Sequence, residues 1–290
     1  MRQFLSTPYS GVKQIISFGA GSDTRYFRLV DEGLAVKLVY HEIDFPVNCS
    51  QKIARIKQHP QLLQTIRKSQ EQDENISFDE DDTALISTQY NIHPIDLRRF
   101  GRSSENIKDE APFLRNLSNI SPTLLISECC LCYLSPDETD EILLNFSSTI
   151  IAPETPLALV IYEPIRPNDS FGRMMISNLA SRGIVLQTLE IFSTLSRQRR
   201  RLKDCGFTTS QAGADIGFIW DNWISEDEKE RVAGLEMMDE LEEWHLLAKH
   251  YCIAWGWRDY KSEPTNAIFK GGWTDIISQA GDEEDDDGEK

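Results

Sequence analysis

Short apolar runs alternate along this chain with longer stretches in which apolar residues recur every three or four positions. Gln14–Phe18, Leu34–Val39 continuing to Glu42–Phe45, Ala84–Ser87, Tyr90–Leu97, Thr123–Ser127 and Pro156–Tyr162 read as strands. Runs that stay apolar at successive positions suit strands covered on both faces of a parallel sheet. Between them, Cys49–Ser69 spaces Ile53, Ile56, Leu62, Leu63 and Ile66 as a helix would, with Pro60 interrupting it. Ser135-Pro136-Asp137-Glu138 predicts a helix start, with a capping serine, a proline in the first turn and a glutamate three residues after the cap. Ile142, Leu143 and Phe146 then form its buried face. Asp169–Leu189 is a further predicted helix, with Met174, Met175 and Leu179 turned inward. Ala214–Trp223 and His250–Trp257 are predicted as two last strands forming an antiparallel, hairpin-like edge. Ser69–Asp82 and Gly101–Asp109 are predicted surface loops. The alternation predicts an α/β fold, a sheet with helices on both faces.

Composition narrows the setting. The 290 residues are 40% hydrophobic and 27% charged, ordinary for a globular protein. No apolar run reaches the ~20 residues of a membrane helix. Met1–Ser6 lacks the apolar stretch of a secretory leader, so a cytoplasmic or nuclear compartment is expected. Cys129, Cys130 and Cys132 crowd one apolar segment and read as a buried strand of reduced thiols. The net charge is −17, of which −6 falls on Gly281–Lys290. Such a surface repels phosphate backbones, so no nucleic-acid partner is expected. The acidic end reads as a solvated, disordered tail, which places the domain at residues 1–275 and the tail at 276–290. His41, His59, His93, His245 and His250 show no metal-ligand spacing, so no metal is expected.

The candidate chemistry lies at strand ends. Gly19-Ala20-Gly21-Ser22-Asp23 follows the first strand, where open α/β sheets bind ligands. Thr24 stands where a dinucleotide fingerprint has its third glycine, which weakens a nicotinamide reading and leaves a plain strand–helix turn open beside a ligand cradle. Asp44 ends the second strand and can accept from ribose hydroxyls. Asp96 follows the third strand and can receive an adenine amino group. Glu128 closes the fourth, where an ammonium group would satisfy a carboxylate beside so apolar a run.

These residues and their surroundings resemble the leucine carboxyl methyltransferase family. Phe18-Gly19-Ala20-Gly21-Ser22-Asp23-Thr24-Arg25 is similar to its first motif, Tyr40–Pro46 to its second-strand motif, and Asp96-Leu97-Arg98 to the segment after its third strand. Pro122–Tyr133, with Glu128 inside it, is the most specific match. Tyr162-Glu163-Pro164, Asp169–Met175 and the stretches Leu241–Trp244 and His250–Cys252 extend it. The resemblance spans roughly Gln14–Trp257. It implies a class I S-adenosylmethionine-dependent methyltransferase fold with a mostly parallel seven-stranded sheet. It implies donor contacts from Gly19, Asp44, Asp96, Leu97 and Glu128, and methylation of the C-terminal leucine carboxylate of the type 2A protein phosphatase catalytic subunit. Tyr133 and Arg173 are the candidate substrate-binding residues. A terminal carboxylate is ionised at neutral pH, so no catalytic general base is required. A monomer is expected.

Members of that family carry a helical segment ahead of the first strand, with a lysine and an arginine at the donor and acceptor carboxylates. Only Met1–Lys13 precede the strand here, and neither basic residue maps onto them. The chain is therefore expected to be either shortened relative to the natural product or a degenerate member. The alternative function is accordingly a non-catalytic, methyltransferase-like binding protein. Methylation of a modified tRNA guanosine and of a small-molecule hydroxyl are rival activities.

Overall fold

The computed structural model describes residues 1–68, 76–101, 114–235, 241–259 and 267–281. Its centre is a sheet of nine strands in the order β3-β4-β5-β2-β1-β6-β7-β9-β8. They are β1 Lys13–Phe18, β2 Leu38–Asp44, β3 Ser77–Phe78, β4 Leu85–Ile86, β5 Tyr90–Pro94, β6 Thr123–Glu128, β7 Leu157–Pro164, β8 Ser210–Asp215 and β9 Tyr251–Arg258. β5, β2, β1, β6 and β7 run parallel, and β9 joins β7 and β8 antiparallel. The seven expected strands are present. The two-residue β3 and β4 enlarge the sheet to nine; β4 falls within the predicted strand Ala84–Ser87, and β3 lies in the predicted loop Ser69–Asp82.

The parallel strands are covered on both faces, as their continuous apolar runs require. Every residue of β1 is buried. Successive side chains point to opposite faces. Ile15, Leu124 and Ile126 therefore join Tyr26, Tyr40 and Tyr90 in one core, while Ile16, Phe18 and Leu125 join Ile43 and Phe146 in the other. Tyr26 stacks on Tyr90 with ring centres 4.3 Å apart.

Helix signals held where side chains cap or break the backbone. Pro60 separates α3, Pro46–Gln58, from α4, Pro60–Lys68. Helix Pro136–Asn145 opens on a full capping box: the Glu138 amide donates to Ser135 Oγ at 3.3 Å and the Ser135 amide donates to Glu138 Oε2 at 2.8 Å. Four expectations fail. The helix predicted over Asp169–Leu189 covers only Ser170–Ala180, and Met174 is 61% exposed rather than inward, with Met175 and Leu179 partly buried. Ala214–Trp223 is not a strand. β8 ends at Asp215, whose carboxylate accepts the Phe218 amide at 2.7 Å and starts helix Ile216–Trp223. β8 and β9 do pair antiparallel at the edge of the sheet, but the helices separating them rule out a hairpin. Cys129, Cys130 and Cys132 lie beyond β6 in the loop and 3₁₀ turn that follow it, where a strand cannot continue because Cys129 has a φ of +44°. All six cysteines are free thiols. Of the two predicted loops, residues 69–75 and 102–109 lie outside the described residues, as does the tail from 282 onward.

The first residues pack against the described C-terminal stretch 267–281. The short helix α1, Arg2–Ser6, packs Phe4 flat on Phe269, ring centres 5.0 Å apart. Lys13 Nζ, buried beneath it, donates to the carbonyls of Phe4, Leu5 and Thr7 at 2.6, 2.9 and 2.5 Å. Burial lowers the Lys13 ammonium to about 8, still charged at neutral pH, and its three donors are all used. Ile276–Gln279 return to the body, where the Gln279 amide donates to the Gly213 carbonyl at 3.0 Å. Among the described residues no helix is long and apolar enough to cross a membrane.

Lys13→Ala removes charge-assisted hydrogen bonds to the end of α1 and should destabilise the chain by about 2 kcal/mol in urea unfolding. A loss below a few tenths would show that α1 is not held by this ammonium.

Candidate active site

The registers set where the site forms. Phe18 lies level with Ile43 and Ser127, Asp44 with Pro94, and Glu128 with Tyr162. The carboxyl ends of β1, β2, β5, β6 and β7 therefore share one edge. β1 sits at the reversal of strand order, with β2 on one side and β6 on the other, which is where such sheets open a crevice.

The turn after β1 is held by its neighbours. The Gly19 amide donates to the Ile43 carbonyl at 2.8 Å, and the Gly21 amide donates to Asp44 Oδ2 at 2.7 Å. Gly19 has φ +59°, and a Cβ there would lie 2.5 Å from Cys130 Sγ, so only glycine lets the β1 and β6 loops meet. Gly21 has φ +48°, and a Cβ there would meet nothing within 4 Å. The turn thus offers an open floor, with room for a bound molecule.

Below it lies a buried polar cluster. Asp23 accepts from the Arg25 amide at 2.8 Å, from Arg25 Nη1 at 2.9 Å and from the Tyr40 hydroxyl at 3.1 Å. Lys52 on α3 donates to the Asp23 carbonyl at 2.7 Å and ion-pairs with Glu42 on β2. Burial drives the Glu42 carboxyl up to about 7 against the pull of Lys52.

Three adjoining clefts run along this edge. The first, about 400 Å³, is lined by Gly19, Gly21, Asp44, Asn48, Asp96, Leu97, Cys130 and Tyr133 among others. The second, about 450 Å³, follows residues 17–25 to Glu128. The third, about 350 Å³, runs over Leu124, Ile126, Val160, Tyr162 and Ile253 from Arg25 and Glu128. Gly19, Gly21 and Cys129 belong to both the first and second, and Arg25 and Glu128 to both the second and third. Together they form one trench of the size of a small-molecule site.

Of the sequence candidates, Gly19, Asp44, Asp96, Leu97 and Tyr133 line the first cleft, and Glu128 lines the next two. Asp44 already accepts from Gly21, from the Phe45 amide at 2.7 Å and from Asn48 Nδ2 at 2.8 Å. With roughly four acceptor sites, its carboxylate keeps about one for a ribose hydroxyl. Asp96 caps the 3₁₀ turn Leu97–Phe100, and hydrogen bonds from the Arg98 side chain lower its pKa. Glu128 is half exposed and ion-paired with Arg25. Tyr133 is 43% exposed, and the Gln187 side chain donates to its carbonyl at 2.6 Å. Arg173 lies exposed on helix Ser170–Ala180, donates to the Asn168 carbonyl and lines none of the three clefts. Arg25, Tyr40, Lys52 and Cys130 went unmarked in the sequence. Arg25, inside the glycine-turn motif, had a signal: a cation directly before the buried aromatic pair Tyr26-Phe27.

A family model for leucine carboxyl methyltransferases matches residues 2–147. Leucine carboxyl methyltransferase 1 of Aspergillus fumigatus is 47% identical over 296 residues, covering 97% of this chain and 73% of that protein. This chain belongs to the leucine carboxyl methyltransferase family. Leucine carboxyl methyltransferase 1 of Schizosaccharomyces pombe is 38% identical, with 87% of this chain and 75% of that protein covered. The tRNA wybutosine-synthesizing protein 4 of Rattus norvegicus is 36% identical over 83% of this chain but 33% of its own length. The family is one of methyltransferases, and the central strand order β5-β2-β1-β6-β7-β9-β8 is that of the expected class I sheet.

The residues present fit S-adenosylmethionine. The uncrowded floor at Gly21, the free acceptor site on Asp44 and the half-exposed Glu128 carboxylate lie along one trench. Two results are expected. Asp44→Ala and Glu128→Ala should each weaken donor binding in calorimetry more than tenfold, at least ~1.4 kcal/mol, and unchanged affinity in both would put the donor elsewhere. Second, Glu42 has a folded pKa of about 7 against an ordinary 4.5, so the folded chain holds the proton more tightly. Its contribution to stability is full below pH 4.5 and lost as pH rises through 7. Glu42→Gln should flatten that fall in urea unfolding between pH 5 and 7, and a slope identical to wild type would contradict the raised pKa.

Proposed function

We propose that this chain transfers the methyl group of S-adenosylmethionine to the C-terminal leucine carboxylate of the type 2A protein phosphatase catalytic subunit, giving a methyl ester. When bound, the donor supplies an electrophilic methyl on a sulfonium. The trench residues divide its recognition: Asp44 takes a ribose hydroxyl, Asp96 and Leu97 the adenine edge, and Glu128 the ammonium.

The observation that carries a carboxylate acceptor is the want of a base. Burial pushes Cys129 up to about 11, Cys130 to about 12 and Tyr162 to about 12, and raises Tyr133 as well. At neutral pH all four stay protonated. Among the described residues lining the three clefts there is no histidine, and the lining carboxylates are already engaged: Asp23 and Glu128 by Arg25, Asp96 by Arg98, and Asp44 by two backbone amides and Asn48. A hydroxyl or amine acceptor would need its proton removed. A terminal carboxylate, with a pKa of about 3.5, arrives ionised and needs only alignment with the methyl and exclusion of water. Tyr133 on the wall of the first cleft suits that alignment. The apolar third cleft suits a leucine side chain.

Likeness to the rat wybutosine protein favours a second reading, methylation of a modified tRNA guanosine. The net charge of −17 opposes it, since a polyanion would be repelled along the whole approach.

A phosphatase tail peptide with a free C-terminus should take up labelled methyl from the donor, while the same peptide amidated should take up none. Methylation of the amidated peptide would remove the carboxylate as acceptor. Donor binding with no transfer to the free peptide would favour a non-catalytic binding protein, and transfer to tRNA alone would favour the second reading.

A further inference from the structure

The Tyr133 ring lines the first cleft, but its backbone belongs to the 3₁₀ turn Leu131–Tyr133. Within that turn the Tyr133 amide donates to the Cys130 carbonyl at 3.2 Å, and the Leu134 amide donates to the Leu131 carbonyl at 3.1 Å. The next two carbonyls, of Cys132 and Tyr133, lie at the end of the turn, where helical backbone leaves acceptors for outside donors. One distant residue serves both. The Gln187 amide donates to the Cys132 carbonyl at 2.8 Å, and Gln187 Nε2 donates to the Tyr133 carbonyl at 2.6 Å.

Gln187 lies in the segment between helix Ser170–Ala180 and helix Leu195–Asp204, and that segment is anchored from behind. Thr188, Leu189, Phe192 and Ser193 are buried. The Phe192 amide donates to the Thr188 carbonyl at 2.9 Å, closing a turn directly after Gln187. Arg201 lays its guanidinium over the Phe192 ring, 4.1 Å from the ring centre. Its Nη1 pairs at 3.0 Å with Glu163 near the end of β7, both side chains buried. Breaking such a pair would leave a buried charge uncompensated, so the anchor is firm. β7 fixes Arg201, Arg201 fixes Phe192, and one short turn carries Gln187 to the backbone of Tyr133.

We propose that Gln187 is a positioning residue for methyl transfer. By holding the Tyr133 carbonyl it sets the direction in which the Tyr133 ring enters the first cleft, and with it the line of the acceptor carboxylate. The inference rests on the carboxylate-acceptor reading, in which Tyr133 aligns the substrate, and adds a residue that lines none of the three clefts. A misplacement of about 1 Å can cost on the order of a hundredfold in rate, so a single bond on that turn can matter to catalysis. The Gln187 side chain is exposed, so truncating it opens no cavity in the core. The effect falls on the rate of transfer rather than on the fold.

Steady-state kinetics of the whole chain on the free-carboxylate tail peptide, with calorimetry of S-adenosylhomocysteine, tests this. Gln187→Ala should lower kcat/KM for the peptide at least fivefold and change S-adenosylhomocysteine affinity less than twofold. Introduced into a Tyr133→Ala chain, the same substitution should lower kcat/KM less than twofold further, because the side chain it orients is gone. Wild-type kinetics for Gln187→Ala, beside a clear loss for Tyr133→Ala, overturns the inference. So does a full fivefold loss in the Tyr133→Ala background, which would mean that Gln187 acts by another route. An equal loss of S-adenosylhomocysteine affinity also overturns it, since Gln187 would then brace the whole site. Undiminished transfer by Tyr133→Ala has a different meaning: Tyr133 would not align the acceptor, and the reading beneath the inference would fall with it. A wild-type chain inactive on the peptide would overturn the proposed function and this inference together, a result that no pattern among the variants can mimic.

Discussion

The hold of β2 on the turn after β1 is the constraint on which the site depends. One carbonyl, that of Ile43, and one carboxylate, that of Asp44, take the amides of Gly19 and Gly21. Those two bonds fix a turn whose residues have positive φ, and they consume three-quarters of what Asp44 can accept once Phe45 and Asn48 are counted. The carboxylate is thus a structural brace first and a ligand contact second. Removing it should disturb the turn as well as the ribose, so a loss of donor affinity in its alanine variant combines both effects.

The same economy recurs around the trench. Asp96 caps the 3₁₀ turn that carries Leu97, and Asp23 anchors Arg25. Acids needed to shape loops at the strand ends leave part of their surface facing the cleft. Glu128 is the exception. It braces no turn, and its exposed ion pair leaves it available to a cationic ligand. The neutral thiols and phenols nearby complete a site suited to an acceptor that arrives already charged. That matches the family to which the chain belongs, whose name specifies a carboxyl acceptor.

Behind the trench, Lys52, Glu42 and Tyr40 tie α3 and β2 to the Asp23 loop. A buried ion pair contributes little net stability because desolvation offsets attraction, but breaking it leaves an uncompensated charge. Its evident effect here is positional, since it fixes the height of the Asp23 carbonyl and hence of the helix carrying Arg25.

Strands β1, β2, β6 and β7 were legible from the sequence because parallel strands buried on both faces need largely apolar runs. The Pro60 break and the capping box at Ser135 were legible for a similarly local reason: backbone geometry and hydrogen bonding within four residues decide them. The motif acids, too, could be read at their strand ends. Tertiary structure alone decided the rest. Ala214–Trp223 is apolar enough for a strand, and only Asp215, turned to cap Phe218, makes most of it a helix. Met174 has helical spacing, yet it is exposed. Which acid meets which amide, that Cys130 closes on Gly19, and that Arg25 rather than Arg173 reaches the trench all depend on how β1 and β6 lie together. Distances between residues a hundred positions apart follow from sheet register, and register is a property of the assembled sheet, not of any one segment.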